Sequence, residues 1–359
     1  MKIPEGFLIS AVNCGIKRNK LDLGLIHCPD SAKALGFFTK SANVAYSVTY
    51  SKKNINRPIK AVLVNSGNAN CFSHKNGLKD TKSIATTLAK DLKVKESGIL
   101  FSSTGIIGKK LPKDKIKKAI PALIKKLGKN IKDFSQSICT TDSFQKRSHA
   151  VVGKASILGF AKGAGMIAPN MATMLAFILT DAKIPKSVLK KMVTSSVARS
   201  FNSISVDGCM STNDTVLVLS SAKVTLSAAQ LKIFAKEMDK VCLDLAKKIV
   251  RDGEGATKLV EIKLIGAKNN EQAKKGAEAI ANSNLVKTAI YGENPNWGRI
   301  IAALGHAGIA VDGKARISGS SLAKKDVTLI VDLKKGKSSW TVYTCDLTYE
   351  YVKINAEYN

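Results

Sequence analysis

The stretch from Lys162 to Asp181 combines two patterns that require different structures. Its first half contains two glycines followed by Pro169-Asn170, which favours a tight, strained loop. Its second half, Met174 to Leu179, is six consecutive apolar residues, and such a run is typical of a buried strand. Thr173 therefore stands at the start of a rigid core strand with a flexible loop before it, which suits a positioned nucleophile.

Strand and helix patterns alternate along the rest of the chain. Short apolar stretches that predict strands occupy Leu21 to Cys28, Lys60 to Asn65, Gly98 to Ser103, Val327 to Leu333 and Trp340 to Leu347. Helical spacing covers Asp114 to Leu127, which Pro121 is expected to divide into two pieces, and Glu271 to about Ile280. Ser227 and Gln230 form a capping box for a helix expected to end near Gly253. The mixture predicts an α/β or α+β fold with helices layered on sheets.

The charge of the chain raises the question of nucleic-acid binding, because 359 residues carry a formal net charge of +30. Only seven of the 57 basic residues are arginine, however, and the lysines are spread along predicted helices. Base readout and bidentate phosphate contacts favour arginine, whereas lysines distributed in this way form solvated faces. We therefore expect no nucleic-acid partner.

Composition also argues against a membrane, secretion and a metal site. No segment reaches the roughly 18 to 20 apolar residues of a membrane-spanning helix, and the N-terminus lacks a secretory signal pattern. Seven cysteines without a CxxC pair fit reduced thiols, so we expect a cytoplasmic protein. No two of the four histidines have ligand spacing, and neither a metal nor a cofactor is expected. The histidines are His27, His74, His149 and His306.

Thr173 needs a base before its hydroxyl can react, since a threonine hydroxyl is a weak nucleophile at neutral pH. No histidine lies near it in the sequence. If the peptide bond between Ala172 and Thr173 breaks, Thr173 gains an α-amino group with an ordinary pKa of about 8, which can serve as that base. From the residues alone, a plain loop that enters a core strand is the alternative, and the physical arguments by themselves favour it.

The run from Lys162 to Ala182 resembles the self-cleavage motif of ornithine acetyltransferases, the bifunctional glutamate N-acetyltransferase family of arginine biosynthesis. Further motifs resemble that family in the same order over nearly the whole chain. They are Val64 to Asn70, Ser102 to Gly108, Cys139 to Asp142, Ser205 to Gly208, Arg251 to Lys258, Pro295 to Arg299 and Tyr351 to Ala356. So many separate matches make the resemblance specific.

The resemblance implies a reaction and a set of site residues. By this resemblance, an acetyl group is expected to move from N-acetylornithine to glutamate through an acetylated Thr173, after cleavage between Ala172 and Thr173. Thr104 and Gly105 are the implied donors to the oxyanion. The implied substrate-binding residues are Thr140, Lys162, Thr173, Glu254 and Asn355.

The resemblance also implies the layered α/β fold of this family of N-terminal-nucleophile type, cut into an alpha chain of residues 1–172 and a beta chain of 173–359. The two chains would be intertwined as one catalytic unit, in a heterotetramer with two of each. Acetyl-CoA as a second acetyl donor stays open, because a CoA site has no signature in the sequence. Two alternatives also stay open: a self-processing amidase or aminopeptidase in which water is the acceptor, and a basic scaffold that no longer cleaves itself.

Overall fold

The computed structural model of the chain describes residues 1–73, 75–168 and 174–357. The strands are β1 Leu8–Val12, β2 Leu23–Phe38, β3 Ile59–Asn68, β4 Ile99–Ile106, β5 Lys146–Val152, β6 Ala155–Lys162, β7 Leu175–Lys183, β8 Thr215–Thr225, β9 Leu259–Ala267, β10 Arg316–Gly319, β11 Asp326–Asp332 and β12 Ser338–Cys345. The helices are α1 Tyr46–Asn54, α2 Gly77–Leu92, α3 Lys113–Lys125, α4 Ile131–Ser137, α5 Lys186–Arg199, α6 Ala228–Arg251, α7 Asn270–Asn282, α8 Asn284–Tyr291, α9 Gly298–His306 and α10 Tyr349–Ala356. The mixed α/β prediction is confirmed.

The chain forms two compact units, each built from separate segments. The first consists of Met1–Gly163, Thr173–Val197 and Met210–Leu245. The second consists of Ala164–Ala172, Ala198–Cys209 and Ala246–Asn359. Across the described residues, no helix has the length and apolar character that crossing a membrane would require.

The first unit contains, within the described residues, an eight-stranded sheet in the order β4-β3-β2-β8-β7-β6-β5, with β1 paired to β2. Strand β2 pairs with β3 up to His27 and, after a register shift, again at Ala32, and it pairs with β8 from Lys33 onward. Strand β7 lies inside the sheet, parallel to β8 and antiparallel to β6. All of β7 except its last residue is buried, which confirms the buried strand predicted after Thr173.

Aromatic packing helps to fix β6 and β7 in this unit. The ring centroid of Phe134 on α4 lies 4.9 Å from that of Phe160 and 6.0 Å from that of Phe177, both in edge-on geometry. All three side chains are fully buried. Edge-on aromatic pairs add to the free energy gained from burial alone, so these two strands have a rigid support.

In the part of the second unit that the structure describes, the strands form a four-stranded sheet in the order β10-β11-β9-β12. Strand β9 is parallel to β11 and antiparallel to β12. Helix α7 packs on β9 and β12, and its buried alanines and isoleucine face buried residues of the sheet such as Leu264 and Val342. The strand and helix patterns predicted in this part of the sequence are confirmed, with ends shifted by a few residues.

The capping box predicted for α6 is present. The Ser227 backbone N–H donates to Gln230 Oε1 at 3.0 Å, and the Gln230 backbone N–H donates to Ser227 Oγ at 3.2 Å. These reciprocal bonds satisfy amide groups that a helix start leaves without intrahelical partners. The helix ends at Arg251, close to the predicted stop at Gly253.

The prediction that Pro121 divides its helix is wrong, because α3 runs without a break from Lys113 to Lys125. Pro121 is exposed, while Ile116, Ile120 and Leu123 on the opposite face are fully buried. Proline removes one intrahelical hydrogen bond, but at an exposed position water can satisfy the carbonyl that loses its partner. Packing of the apolar face keeps the two halves aligned.

Replacement of Pro121 by alanine should therefore stabilise the protein, by about 2 kcal/mol in the free energy of unfolding, since a proline inside a helix is unfavourable and the continuous helix is already formed. Urea unfolding measures the change. Pro112→Ala is the matched control, because Pro112 precedes the first turn of α3 and should give no comparable gain. Equal effects of the two substitutions would contradict this explanation.

Candidate functional site

Lys162 and Thr104 meet inside the first unit. Lys162 is the last residue of β6 and is only 3% exposed, and Thr104 lies near the end of β4. The Lys162 Nζ donates a hydrogen bond to Thr104 Oγ1 at 3.2 Å. Burial lowers the pKa of Lys162, and the negative charge of Asp142 opposes this shift. Two residues that are 58 positions apart in the sequence, and that were predicted as site residues, are thus in direct contact.

Gly105 occupies a position that only glycine fits. Its φ is +130°, a conformation that residues with a side chain rarely adopt, and it pairs with Gly67 on β3. A Cβ at this position would lie 2.5 Å from the backbone nitrogen of Asn68 and would also collide with Gly67. The close approach at Gly105 is therefore toward the neighbouring strand β3, and its role as an oxyanion donor stays a prediction.

Asp142 connects Thr140 to the end of β6. The Thr140 backbone N–H donates to Asp142 Oδ2 at 2.8 Å, and the Gly163 backbone N–H donates to Asp142 Oδ1 at 2.8 Å. The Lys146 Nζ lies 2.6 Å from the same Oδ1, and neither side chain is exposed. Burial alone would raise the pKa of Asp142, but the charges of Lys162 and Lys146 outweigh it and lower the pKa to about 2.

Glu254 and Asn355 meet inside the second unit. The Asn355 Nδ2 donates to Glu254 Oε2 at 3.1 Å, and the Glu254 backbone N–H donates to Ala164 O at 2.9 Å. A Cβ on Gly165 would collide with the Glu254 carboxylate. The glycine therefore leaves the space that this carboxylate fills.

The predicted cleavage residues Ala172 and Thr173 lie outside the described residues. In the second unit, Asp207 accepts hydrogen bonds from the backbone N–H groups of Met166 and Ile167, at 2.5 and 2.9 Å. Burial raises the pKa of Asp207. Sequence reasoning gives no sign of this contact, because the two partners are some 40 residues apart and neither pattern nor spacing links them.

Metal binding has no structural basis in the described ranges. Nowhere in residues 1–73, 75–168 and 174–357 do three or more His, Cys, Asp or Glu side chains form a group that could bind a metal ion. The expectation of a metal-free enzyme stays a prediction.

Comparison with known proteins gives consistent matches. The model of the ArgJ family matches residues 8–320 and 313–359. The arginine biosynthesis bifunctional protein ArgJ of Caldanaerobacter subterraneus subsp. tengcongensis is 42% identical, over 100% of this chain and 98% of that protein. The glutamate N-acetyltransferase of Methanopyrus kandleri is 40% identical, over 100% of both. A crystal structure of ornithine acetyltransferase complexed with ornithine from Mycobacterium tuberculosis is 30% identical, covers 46% of this chain and 92% of that chain, and gives a TM-score of 0.42.

The layered α/β fold and these full-length relatives define an enzyme of arginine biosynthesis. The chain belongs to the ArgJ family. The resemblance stated from the sequence motifs is confirmed.

The contribution of the buried Asp142–Lys146 pair to the stability of the protein can be tested by substitution. Asp142→Asn should lower the free energy of unfolding at pH 7 by about 3 to 5 kcal/mol, because it removes the carboxylate charge that opposes the buried Lys146 ammonium. Since the folded-state pKa of Asp142 is lowered to about 2, its contribution is complete above its ordinary pKa and is lost as the pH falls from about 4 toward 2. The gap between wild type and variant should narrow by about 2 to 3 kcal/mol over that range in urea unfolding.

Asp30→Asn is the matched control, because the Asp30 carboxylate pairs with Lys223 at a similar distance, 2.7 Å, but on the surface. It should change unfolding little at any pH. A loss of stability equal to that of Asp142→Asn would contradict the assignment of a buried pair.

Proposed function

We propose that the chain transfers an acetyl group from N-acetylornithine to glutamate through an acetyl-Thr173 intermediate, giving ornithine and N-acetylglutamate. Membership of the ArgJ family and the name of the Methanopyrus kandleri relative support glutamate as the acetyl acceptor. The single observation that carries the proposal is the buried contact between Lys162 and Thr104. A buried lysine whose Nζ donates to a hydroxyl near the end of a strand lowers stability, and it is expected where charge has to be stabilised.

The nucleophile in this proposal is made by hydrolysis of the peptide bond between Ala172 and Thr173, in which water gives its oxygen to the Ala172 carboxylate and a proton to the Thr173 amine. The new α-amino group of Thr173 takes the proton of its hydroxyl while the oxygen attacks the acetyl carbonyl, and ornithine leaves with a proton on its amine. The amine of glutamate then attacks the acetyl ester, and the Thr173 hydroxyl regains its proton. Both half-reactions pass through a tetrahedral oxyanion.

Thr104 and Gly105 are the proposed donors to that oxyanion. The Thr104 oxygen accepts the hydrogen bond from Lys162, so its own O–H proton is available for a different acceptor. A hydroxyl fixed in this way by a cation is a preorganised donor, which is the property that stabilises developing negative charge. The proposed substrate contacts of this unit are Thr140 and Lys162. The backbone N–H of Thr140 donates a hydrogen bond to Asp142.

Glu254 and Asn355 are the proposed substrate contacts of the second unit. The Glu254 carboxylate has a fixed place, because Asn355 donates to it and Gly165 leaves room for it. A carboxylate in this position can oppose the charged side-chain amine of an ornithine substrate. The formal charge of +30 can assist the approach of anionic glutamate as a long-range effect.

The assembly proposed with this function is an alpha chain of residues 1–172 and a beta chain of 173–359, two of each, in the cytoplasm. Both compact units contain segments from before and after the proposed cleavage bond, which supports intertwined fragments.

Acetyl-CoA is a further proposed donor. The competing function is an amidase or aminopeptidase of the same self-processing kind, in which water takes the acyl group.

Denatured intact-mass analysis tests the scission. We expect two fragments, one ending at Ala172 and one beginning at Thr173, and a single uncut, inactive chain from Thr173→Ala. Thr173→Ser should retain part of both scission and transfer, because a hydroxyl and an α-amine are kept. An active wild-type enzyme that stays in one piece would contradict the proposed nucleophile.

Product analysis with and without glutamate tests the acceptor. Beyond the first turnover of each enzyme, ornithine release from N-acetylornithine should depend on glutamate and should yield one N-acetylglutamate for each ornithine. Release at the same rate without glutamate would identify the water-dependent amidase instead.

Gly165→Ala tests the place of Glu254. The added methyl should displace the Glu254 carboxylate and lower kcat/KM for N-acetylornithine by about 10- to 100-fold, since small misplacements of a site group have large effects. Gly313→Ala is the control, because nothing lies within 4 Å of a Cβ built there. Equal kinetics for the two variants would remove Glu254 from the proposed site.

A further inference from the structure

Asp214 binds the residue that directly follows Thr173. Asp214 immediately precedes β8 in the first unit and has no exposed surface. Its Oδ1 accepts a hydrogen bond from the Met174 backbone N–H at 3.1 Å. The Met174 carbonyl in turn accepts one from the Thr215 backbone N–H, also at 3.1 Å. The backbone of Met174 is therefore fixed on both its N–H and its C=O by residues at the start of β8.

The neighbouring residue, Asn213, binds the end of the strand that carries Thr104. Its Nδ2 donates to Ser103 O at 2.8 Å and to Ala69 O at 2.6 Å, and the side chain is buried. Ser103 directly precedes Thr104. The dipeptide Asn213-Asp214 thus connects the residue before Thr104 to the residue after Thr173 through hydrogen bonds to backbone groups.

Only one oxygen of the Asp214 carboxyl group takes part in the hydrogen bond with Met174. Its Oδ2 is buried without a hydrogen-bond partner in the described part of the chain. Burial raises the pKa of Asp214 well above its ordinary value, and the Met174 N–H, the charge of Lys162 and contacts with the Thr39 side chain and the Ser211 backbone only partly offset this. A buried carboxyl group with an unsatisfied oxygen is unfavourable for stability, so packing alone does not explain it.

We propose that Asp214 is a positioning residue that orients Thr173 toward Thr104 and Gly105. It does so by fixing the Met174 amide, while its neighbour Asn213 fixes β4 next to Thr104. The inference rests on the proposed role of Thr173 as the nucleophile. Asp214 would act on Thr173 through the backbone of Met174, both in scission and in acetyl transfer. The fixed N–H group belongs to the peptide bond that joins Thr173 to Met174, so loss of this hydrogen bond changes where the nucleophile lies.

Three variants separate positioning from simple structural support. Asp214→Ala removes the acceptor for Met174, whereas Asp214→Asn keeps a carbonyl oxygen for it. Asp181→Ala is the matched control, because Asp181 is equally buried, lies near the other end of β7 and accepts hydrogen bonds from the backbone N–H groups of Glu5 and Ser156 at 2.9 and 2.7 Å. Scission rate by intact mass, kcat, KM and the thermal midpoint are measured for each.

Asp214→Ala should slow scission and lower kcat by about 10- to 100-fold with little change in KM, and Asp214→Asn should restore most of both. Asp181→Ala should lower the thermal midpoint while scission and kcat stay near those of wild type. If Asp214→Ala is no slower than Asp181→Ala, or if Asp214→Asn is as slow as Asp214→Ala, the positioning role is overturned while the proposed function stands. A wild-type chain that neither cuts itself nor transfers acetyl overturns the proposed function, and this inference with it.

Discussion

The charge of Lys162 inside the first unit is the constraint on which the rest of the site depends. An ammonium group without exposure is tolerated only when its hydrogen bonds and its charge are both satisfied. Thr104 supplies the acceptor, and Asp142 supplies the opposing charge. Because Asp142 also binds the backbone N–H groups of Thr140 and Gly163, the same balance of charge fixes the turn and the strand end around the lysine.

A fixed site next to the proposed cleavage bond requires strands that keep their position when that bond is cut. Strand β7 has β6 and β8 as neighbours, and the rings of Phe134, Phe160 and Phe177 pack together in the unit. Hydrogen bonds from the start of β8 then fix Met174. The position of the proposed nucleophile therefore depends on two separate properties. Burial sets the position of strand β7, and the buried carboxyl group of Asp214 fixes the backbone at the start of that strand.

Much of the fold follows from the sequence, because burial imposes a period that can be read locally. The helical spacing of Ile116, Ile120 and Leu123 is of this kind, and the apolar run from Met174 to Leu179 and the capping box at Ser227 are further local signals. The prediction for Leu21 to Cys28 finds only part of a strand, since β2 continues to Phe38 after the register shift beyond His27 and changes its pairing partner. Such a change is set by which strands become neighbours, and no local pattern contains it.

The site follows from the sequence only in part, for the same reason. The resemblance named Lys162, Thr104, Glu254 and Asn355, and the structure brings them into contact as two pairs, each within one unit. The contacts of Asp207 and Asp214 have no such signal, because each joins a carboxylate to backbone N–H groups about 40 residues away. Pro121 failed as a signal of a helix end, since exposure lets water replace the missing hydrogen bond.

The acetyl-Thr173 intermediate is the central claim, and trapping it is the most direct measurement. The enzyme is mixed with N-acetylornithine in the absence of glutamate, quenched in acid, digested and analysed by peptide mass spectrometry. The account predicts that the peptide beginning at Thr173 gains the mass of one acetyl group, which disappears when glutamate is added before the quench. Turnover with no acetyl group on that peptide, or with the acetyl group on another residue, would contradict it.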